Sequence, residues 1–448
     1  MSNYLIKSPT IVNENKTFVA DVLIKEGRIV KISSDITAMP DIKTIKAEGL
    51  YLLPGMIDDQ VHFREPGLTH KADIESESKA AISGGITSYM EMPNCHPATV
   101  TIERLNEKKA LAATKSHANY AFYLGATNDN VGELNRLTPG DACGVKIFMG
   151  SSTGNMLVDN VKTLESFFAN SPILIATHCE DTPMIKQNEE IYRAQYGKEV
   201  SFDLHPLIRS RDACIKSSTL AVSLAKKFST KLNVLHITTK DELQLFTESK
   251  DIPLANKRIT AEVCAHHLFF SQKDYYARGA LIKCNPAIKE EEDRLALLAA
   301  VNDNILDVIA TDHAPHTWAE KHQSYFKAPS GLPLVQHALL SLLEHYHQGI
   351  FSLETIVQKT SHAPATIYQV EKRGFIREGY WADLVLVDLN AQNHISDVEA
   401  KSKCGWTPFS GLTFSSMINK TFVNGVLKYD HGRIVADNLG VSLYFETF

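Results

Sequence analysis

Residues 305–316 read I-L-D-V-I-A-T-D-H-A-P-H. The run is apolar and β-branched, broken only by Asp307, and it stops on Thr311-Asp312-His313 before turning through Pro315 to His316. Such a run, bounded by proline, is what a strand buried on both faces of a parallel sheet requires. A carboxylate and two imidazoles at its carboxyl end stand where a strand-and-helix barrel places its chemistry. A buried strand followed by an ordinary polar turn would read the same way, so the fold turns on whether other runs end alike.

Four others do, and they lie upstream in a regular alternation. Strand-like runs occupy 55–62, 86–92, 118–126, 144–149, 172–178, 232–238, 259–264 and 305–312, and helical patterns fall between them at 73–81, 102–115, 217–228, 241–247 and 290–301. Eight strand-then-helix units over some 300 residues predict an α/β protein with a (β/α)8 TIM-type barrel over 54–370. The flanks read differently. A run at 18–24, a Lys25-Glu26-Gly27 turn and a run at 28–32 follow hairpin grammar, and 380–388 and 421–429 read as strands. The expectation is that 1–53 and 371–448 meet as one composite β-sandwich domain.

Composition narrows the function classes. With 448 residues, 44% of them hydrophobic, the chain can bury a large core and carry an appended domain. A net charge of −6 gives no basic footprint for nucleic acid or an anionic membrane. The seven cysteines are scattered and never in C-x-x-C spacing, which predicts free thiols in a reducing cytoplasm rather than disulfides or a cysteine-held zinc. The start M-S-N-Y-L-I-K lacks a basic stretch followed by an apolar one, and no apolar run approaches the ~20 residues that span a bilayer, so neither signal peptide nor membrane span is expected.

The strand ends carry the chemistry. In Asp58-Asp59-Gln60-Val61-His62-Phe63-Arg64-Glu65-Pro66-Gly67, alternation turns Gln60, His62 and Arg64 to one side. The next strand ends Met92-Pro93-Asn94, an amide after a proline turn, which by itself is ordinary turn chemistry. Lys146 lies inside the apolar run 144–149, where a charged ammonium is costly unless paired. Either a carboxylate partners it, or its amine adds carbon dioxide to become a carbamate whose two oxygens bridge metal ions. His178 and His236 each end an apolar run, and singly each reads as a satisfied buried histidine. Together, His62, Lys146, His178, His236 and Asp312 supply nitrogen and oxygen donors without thiolate, which suits Zn²⁺ or a similar divalent ion.

These stretches resemble the amidohydrolase superfamily, and within it the dihydroorotases related to allantoinases and hydantoinases. The likeness rests on Leu53-Pro54-Gly55-Met56-Ile57-Asp58, His62-Phe63-Arg64-Glu65-Pro66-Gly67, Met92-Pro93-Asn94, Thr177-His178-Cys179-Glu180-Asp181 and Ala310-Thr311-Asp312-His313-Ala314-Pro315-His316, and it spans nearly the whole chain. The resemblance implies one or two zinc ions, one held by His62 and Asp312 and the other by His178 and His236, with N-carboxylated Lys146 bridging them. It implies interconversion of N-carbamoyl-L-aspartate and L-dihydroorotate, a step of pyrimidine biosynthesis, in which a metal-held hydroxide attacks the ring amide and Asp312 carries the proton. Arg64, Asn94 and His316 then grip the substrate carboxylate, Asn285 in Lys283-Cys284-Asn285-Pro286 makes a further contact, and Gly331 and Leu332 offer backbone groups. A planar, bidentate cation such as Arg64 separates this substrate from hydantoins and allantoin, which lack a carboxylate there. A homodimer and association with aspartate transcarbamoylase are the partners implied.

The sequence departs from the family at one point. The first strand usually ends His-x-His, and here the first of the two is Gln60. Three outcomes are open: Gln60 ligates through its amide oxygen, water fills the gap, or only the ion at Lys146, His178 and His236 is held. The departure also admits a catalytically dead partner of aspartate transcarbamoylase, and a hydantoinase-like or allantoinase-like hydrolase is the other alternative. Loops 150–154, 275–280 and 327–331 are the candidates to close over the substrate.

Overall fold

A computed structural model describes residues 3–150 and 156–446. Its centre is a ring of parallel strands: β1 (Met56–Val61), β2 (Ile86–Glu91), β3 (Asn119–Phe122, continued by Leu124–Gly125), β4 (Val145–Phe148), β5 (Ile175–His178), β6 (Leu232–Val234), β7 (Ile259–Cys264) and β8 (Val308–Ala310). Each pairs in parallel with the next. The ring closes just beyond β8, where Val61 pairs in parallel with His313 and the His62 amide donates to the His313 carbonyl at 2.7 Å. Thr311 fastens the same seam, its amide and hydroxyl donating to the Asp58 carboxylate at 3.1 and 2.6 Å. The fold is a (β/α)8 barrel.

The strands are short and their side chains largely buried on both faces, because helices cover the outside. The crossover helices include Ile74–Ser83, Ile102–Ala113, Val161–Asn170, Arg211–Phe228, Glu291–Asn302 and Ala338–His347. Their starts are set by side-chain caps: Asp73, Thr101, Asn160 and Ser210 each accept a hydrogen bond from a first-turn amide. The segment 241–247, expected as a helix, instead winds as the tight turns Glu242–Leu245 and Thr247–Ser249. The cause is Glu242, which turns inward to accept from Ser218 and from the Thr239 hydroxyl and amide. A side chain drawn under the strand end in this way competes with a regular first turn.

Both chain ends contribute to one seven-stranded sheet, in which Met417–Val423, Leu384–Asp388, Tyr51–Pro54 and Thr10–Asn13 are successive neighbours. A second sheet is built from the N-terminal strands Tyr4–Lys7, Asp21–Lys25, Arg28–Ser33 and Lys43–Lys46. Ile6, Val22 and Ile29 of the second sheet pack with Ile11, Leu52, Leu386 and Phe422 of the first in one apolar layer, a sandwich. Two strand readings change. Phe18 and Val19 are exposed and belong to the edge strand Lys16–Val19, not to the hairpin that follows. The run 421–429 is two strands, Met417–Val423 and Val426–Asp430, folded back at Asn424-Gly425. Both turn residues are left-handed (φ 51° and 71°), the geometry that makes Asn-Gly a hairpin turn. The last residues return to the barrel: the Tyr120 amide donates to the Val441 carbonyl, and the Leu443 amide to the Tyr120 carbonyl. No described helix is long and apolar enough to cross a membrane, and the seven cysteines are unpaired.

Candidate active site

At the carboxyl ends of the strands lies a cleft of about 410 Å³, partly open to solvent. Gln60, His62, Arg64, Asn94, Lys146, His178, His236, Asn285, Asp312 and Gly331 are among the residues that line it. These come from the ends of β1, β2, β4, β5, β6 and β8 and from the loop after β7, so segments far apart in the chain deliver their polar groups to one place. Arg64 (φ 70°), His236 (φ 39°) and Asp312 (φ 51°) all have left-handed backbones. For non-glycine residues that costs ~1–3 kcal/mol each, strain of the kind that gathers at functional sites.

On one side of the cleft His178 and His236 face each other, Nδ1 to Nε2, at 3.0 Å. The far nitrogen of His178 meets Glu180 Oε2 at 2.9 Å, and Arg209 donates to the same carboxylate. Burial alone would raise the Glu180 carboxyl, but Arg209 and His178 override it and hold it down to about 2. Burial lowers the pKa of both imidazoles, favouring the neutral form that carries a lone pair. The His236 amide donates to Glu262 Oε1 at 3.1 Å. Beneath it, Glu262 and Asp59 are both pushed above the carboxylate range, chiefly by burial.

Lys146 is buried on β4, with its Nζ over the Phe148 ring at 4.7 Å. Among the described residues no carboxylate forms an ion pair with it, so the simpler account of a buried ammonium is not what the structure offers. Burial brings its pKa down to about 8.

Across the cleft, Asp312 Oδ1 accepts from Gln60 Nε2 at 3.1 Å and lies 3.1 Å from His62 Nε2. His62 Nδ1 meets Asn94 Oδ1 at 2.7 Å. Arg64 is buried at the rim, and its Nε donates to the Pro315 carbonyl at 3.0 Å. Burial lowers its pKa to about 10, which leaves it a cation at neutral pH. Asn285 Oδ1 is buried and has no hydrogen-bond partner, an acceptor left open at the cleft wall.

His316, expected to grip the substrate beside Arg64, lies behind it. Its ring is fully buried, with Nδ1 receiving Lys71 Nζ at 3.0 Å and Nε2 within 3.0 Å of the Ser330 carbonyl and 3.1 Å of Arg64 Nη2. His313 of the opening stretch turns away altogether, its Nε2 on Glu77 at 2.8 Å and its Nδ1 accepting from the Leu334 amide. Of the loops expected to close the cleft, 151–154 lies outside the described residues. The second is held in the short helix Tyr275–Arg278 and the turn Gly279–Ile282. The third is tied down by two buried lysines: Lys283 donates to the Tyr325 and Ala328 carbonyls, and Lys321 to those of Pro329 and Gly331.

The donors fit a divalent cation. His178 Nδ1 and His236 Nε2 lie 3.0 Å apart, a carboxylate orients His178 from its far nitrogen, as ligating histidines require, and Lys146 lines the same cleft with no ion pair among the described residues. Sequence reasoning assigned no role to Glu180, although it stands two residues beyond His178. Lys71 gave no signal at all. A second buried group that could hold a metal, Cys264, His266 and His267, was not anticipated; its donor atoms lie within 4.8 Å of one another.

Comparison with known proteins gives three findings. The family model described as the amidohydrolase family matches residues 51–428. A dihydroorotase of Methanosarcina acetivorans is 33% identical over 423 residues, 92% of this chain and 89% of that one, and a dihydroorotase of Staphylococcus epidermidis is 32% identical over 96% and 98%. Among solved structures, the L-hydantoinase (dihydropyrimidinase) of Arthrobacter aurescens superposes with a TM-score of 0.93 over 99% of this chain and 100% of that one, at 24% identity.

Proposed function

The chain belongs to the amidohydrolase family and hydrolyses a cyclic amide; from that premise we propose that it is a dihydroorotase, interconverting L-dihydroorotate and N-carbamoyl-L-aspartate in pyrimidine biosynthesis. The observation that carries the choice of substrate is the buried Arg64 guanidinium on the same cleft as the imidazole pair. A fixed planar cation beside a hydrolytic centre suits a ring that bears a carboxylate. In this reading Arg64 receives that carboxylate, Asn94 and the open Asn285 Oδ1 fix the rest of the ring, and His316 with Lys71 props the guanidinium from behind.

His178, His236 and Lys146 would hold a divalent cation, which we assign as zinc and which would supply Lewis acidity toward water and the ring carbonyl. Asp312 takes the proton of the attacking water and passes it to the ring nitrogen as the C–N bond breaks, general base and then general acid. Its Oδ1 is already engaged by Gln60 and His62, so the proton rides on Oδ2. Lys146, drawn toward its neutral amine by burial, can add carbon dioxide and offer carbamate oxygens. The unpaired cysteines suit a reducing compartment, and we place the enzyme in the cytoplasm.

Zinc analysis paired with a dihydroorotate hydrolysis assay tests the reading. Bound zinc with turnover is expected; zinc without turnover of dihydroorotate overturns the substrate. Arg64→Met is expected to lower kcat/KM for dihydroorotate by roughly 10²-fold, the loss of charge-assisted bonds worth ~3 kcal/mol. It should spare a hydantoin that lacks the carboxylate, and equal losses on both substrates would make Arg64 a structural residue.

A further inference from the structure

The two sides of the cleft do not offer a metal ion the same donors. At His178 and His236, two ring nitrogens face each other at 3.0 Å, and the outer nitrogen of His178 is anchored by Glu180. At Asp312, His62 Nε2 lies 3.1 Å from Oδ1, and the second group from this strand end is the Gln60 amide, whose nitrogen faces the same oxygen at 3.1 Å. An amide NH2 donates and has no lone pair to give a cation. The amide oxygen points the other way, 3.8 Å from Cys264 Sγ at the carboxyl end of β7. Turning the amide over would set its oxygen against Asp312 Oδ1, acceptor against acceptor. Gln60 is almost fully buried, so water does not readily take the place of either contact.

We propose that Gln60 makes this a one-ion site: the chain holds a single divalent cation on Lys146, His178 and His236, and Gln60 stands in for a second by donating its amide proton to Asp312 Oδ1. Gln60 is then a positioning residue. It acts through Asp312, fixing one carboxylate oxygen by a hydrogen bond so that the other faces the substrate. A histidine here would present a lone pair beside His62 and Asp312 and complete a second set of donors; the glutamine presents a proton instead. The inference rests on the cleft being a metal-dependent hydrolytic site, and it goes beyond that reading in fixing the number of ions and the role of Gln60.

The test is zinc content after loading with excess zinc chloride and removal of free ion by gel filtration, on the full chain with folding checked by thermal melts. One zinc per chain is expected in the wild type, and its loss in His236→Ala places it in the cleft rather than at other cysteine and histidine groups. Gln60→His is expected to bring the count to two. Gln60→Leu, which removes the donor and adds no ligand, is expected to keep one zinc while kcat falls by roughly 10-fold to 10²-fold at little-changed KM, as misplacement of a reacting group does. Two zinc ions in the wild type, one in Gln60→His, or none in Gln60→Leu would each overturn the proposal, the last by making Gln60 itself a ligand. Counting zinc needs no substrate. A chain that holds one ion and leaves dihydroorotate untouched therefore sinks the substrate assignment and keeps the one-ion site.

Discussion

Asp312 holds a left-handed backbone at the end of an apolar strand, a conformation that costs energy and aims its carboxylate across the cleft. In the proposed reaction, with Oδ1 bonded to Gln60, Oδ2 is the oxygen left to carry the proton. Asp312→Asn keeps the shape and removes the base, so kcat is expected to fall by at least ~10³-fold, within the range that a positioned general base contributes. Under the one-ion proposal, in which Lys146, His178 and His236 hold the cation, zinc content should stay at one per chain; metal analysis beside steady-state kinetics checks both. Lys146 gives a pH prediction. Its pKa of about 8 lies below the ordinary lysine value because burial disfavours the ammonium. Below pH 8 the side chain is protonated and cannot add carbon dioxide; above it the amine lone pair is free. Carbamate formation, followed by carbon NMR after loading with labelled bicarbonate, is therefore expected to rise from pH 6.5 to pH 8.5 and to be absent in Lys146→Ala. At this scale the sequence was informative wherever a polar residue ends an apolar run, because few residues are left to chance there. Glu180 and Lys71 were not legible as partners, since each meets its histidine only once the loops are folded. The approach of His316 to Arg64 Nη2 was not legible either.

Single elements explain why the cleft is held open in one shape. The loop after β8 would be free to move on composition alone, yet Lys321 is fully buried and gives its ammonium protons to the carbonyls of Lys283, Pro329 and Gly331. Burial pushes its pKa well below the ordinary range, and no carboxylate among the described residues forms an ion pair with it. Gly331 in turn has φ 141°, and a Cβ there would meet the Ala314 carbonyl at 2.3 Å, so glycine is required for the loop to pass this close to the strand end. Lys321→Met fills the space and leaves buried carbonyls without donors, each costing ~1–3 kcal/mol. The expected result is a loss of about 3 kcal/mol of stability by denaturant melts, with KM raised and zinc retained. An unchanged KM would mean that the loop does not shape the substrate pocket. Strand existence was readable because runs such as 144–149 and 172–178 carry few polar residues. The turn after β6 was not, because the inward swing of Glu242 depends on Ser218 in a different helix. The Asn424-Gly425 hairpin carried a local signal, two residues that tolerate positive φ, which a continuous reading of the surrounding apolar residues passes over.

At the scale of the whole molecule, one buried carboxylate bonds to both the barrel and the sandwich. Asp383 accepts from the Asn424 amide at 2.7 Å, from Asn119 Nδ2 at 3.2 Å and from Arg373, while its own carbonyl receives the Gly55 amide at 2.8 Å. Asn119 opens β3 of the barrel, Asn424 turns the sandwich hairpin, and Asn119 Oδ1 also receives the amide of Val441 in the returning tail. That strands from both β-rich flanks share a sheet was legible from the hairpin grammar at each end; the junction was not, because its members lie at 119, 373, 383, 424 and 441 with nothing local to link them. A buried pair of this kind is weak as net stabilisation but costly to break on one side, since the survivor is left charged and unpaired. Asp383→Ala is therefore expected to cost about 3–5 kcal/mol and to melt at a clearly lower temperature. Arg373→Met in the same chain should recover part of that loss, because it removes the stranded guanidinium that accounts for most of it. If the double variant is instead as unstable as the sum of the two singles, the carboxylate acts through its amide contacts to Asn424 and Asn119 rather than through the charge pair. Zinc content serves as the control: the cleft lies at the carboxyl ends of the strands and Asp383 meets the barrel where β3 begins, so the ion is expected to remain bound in every variant that stays folded.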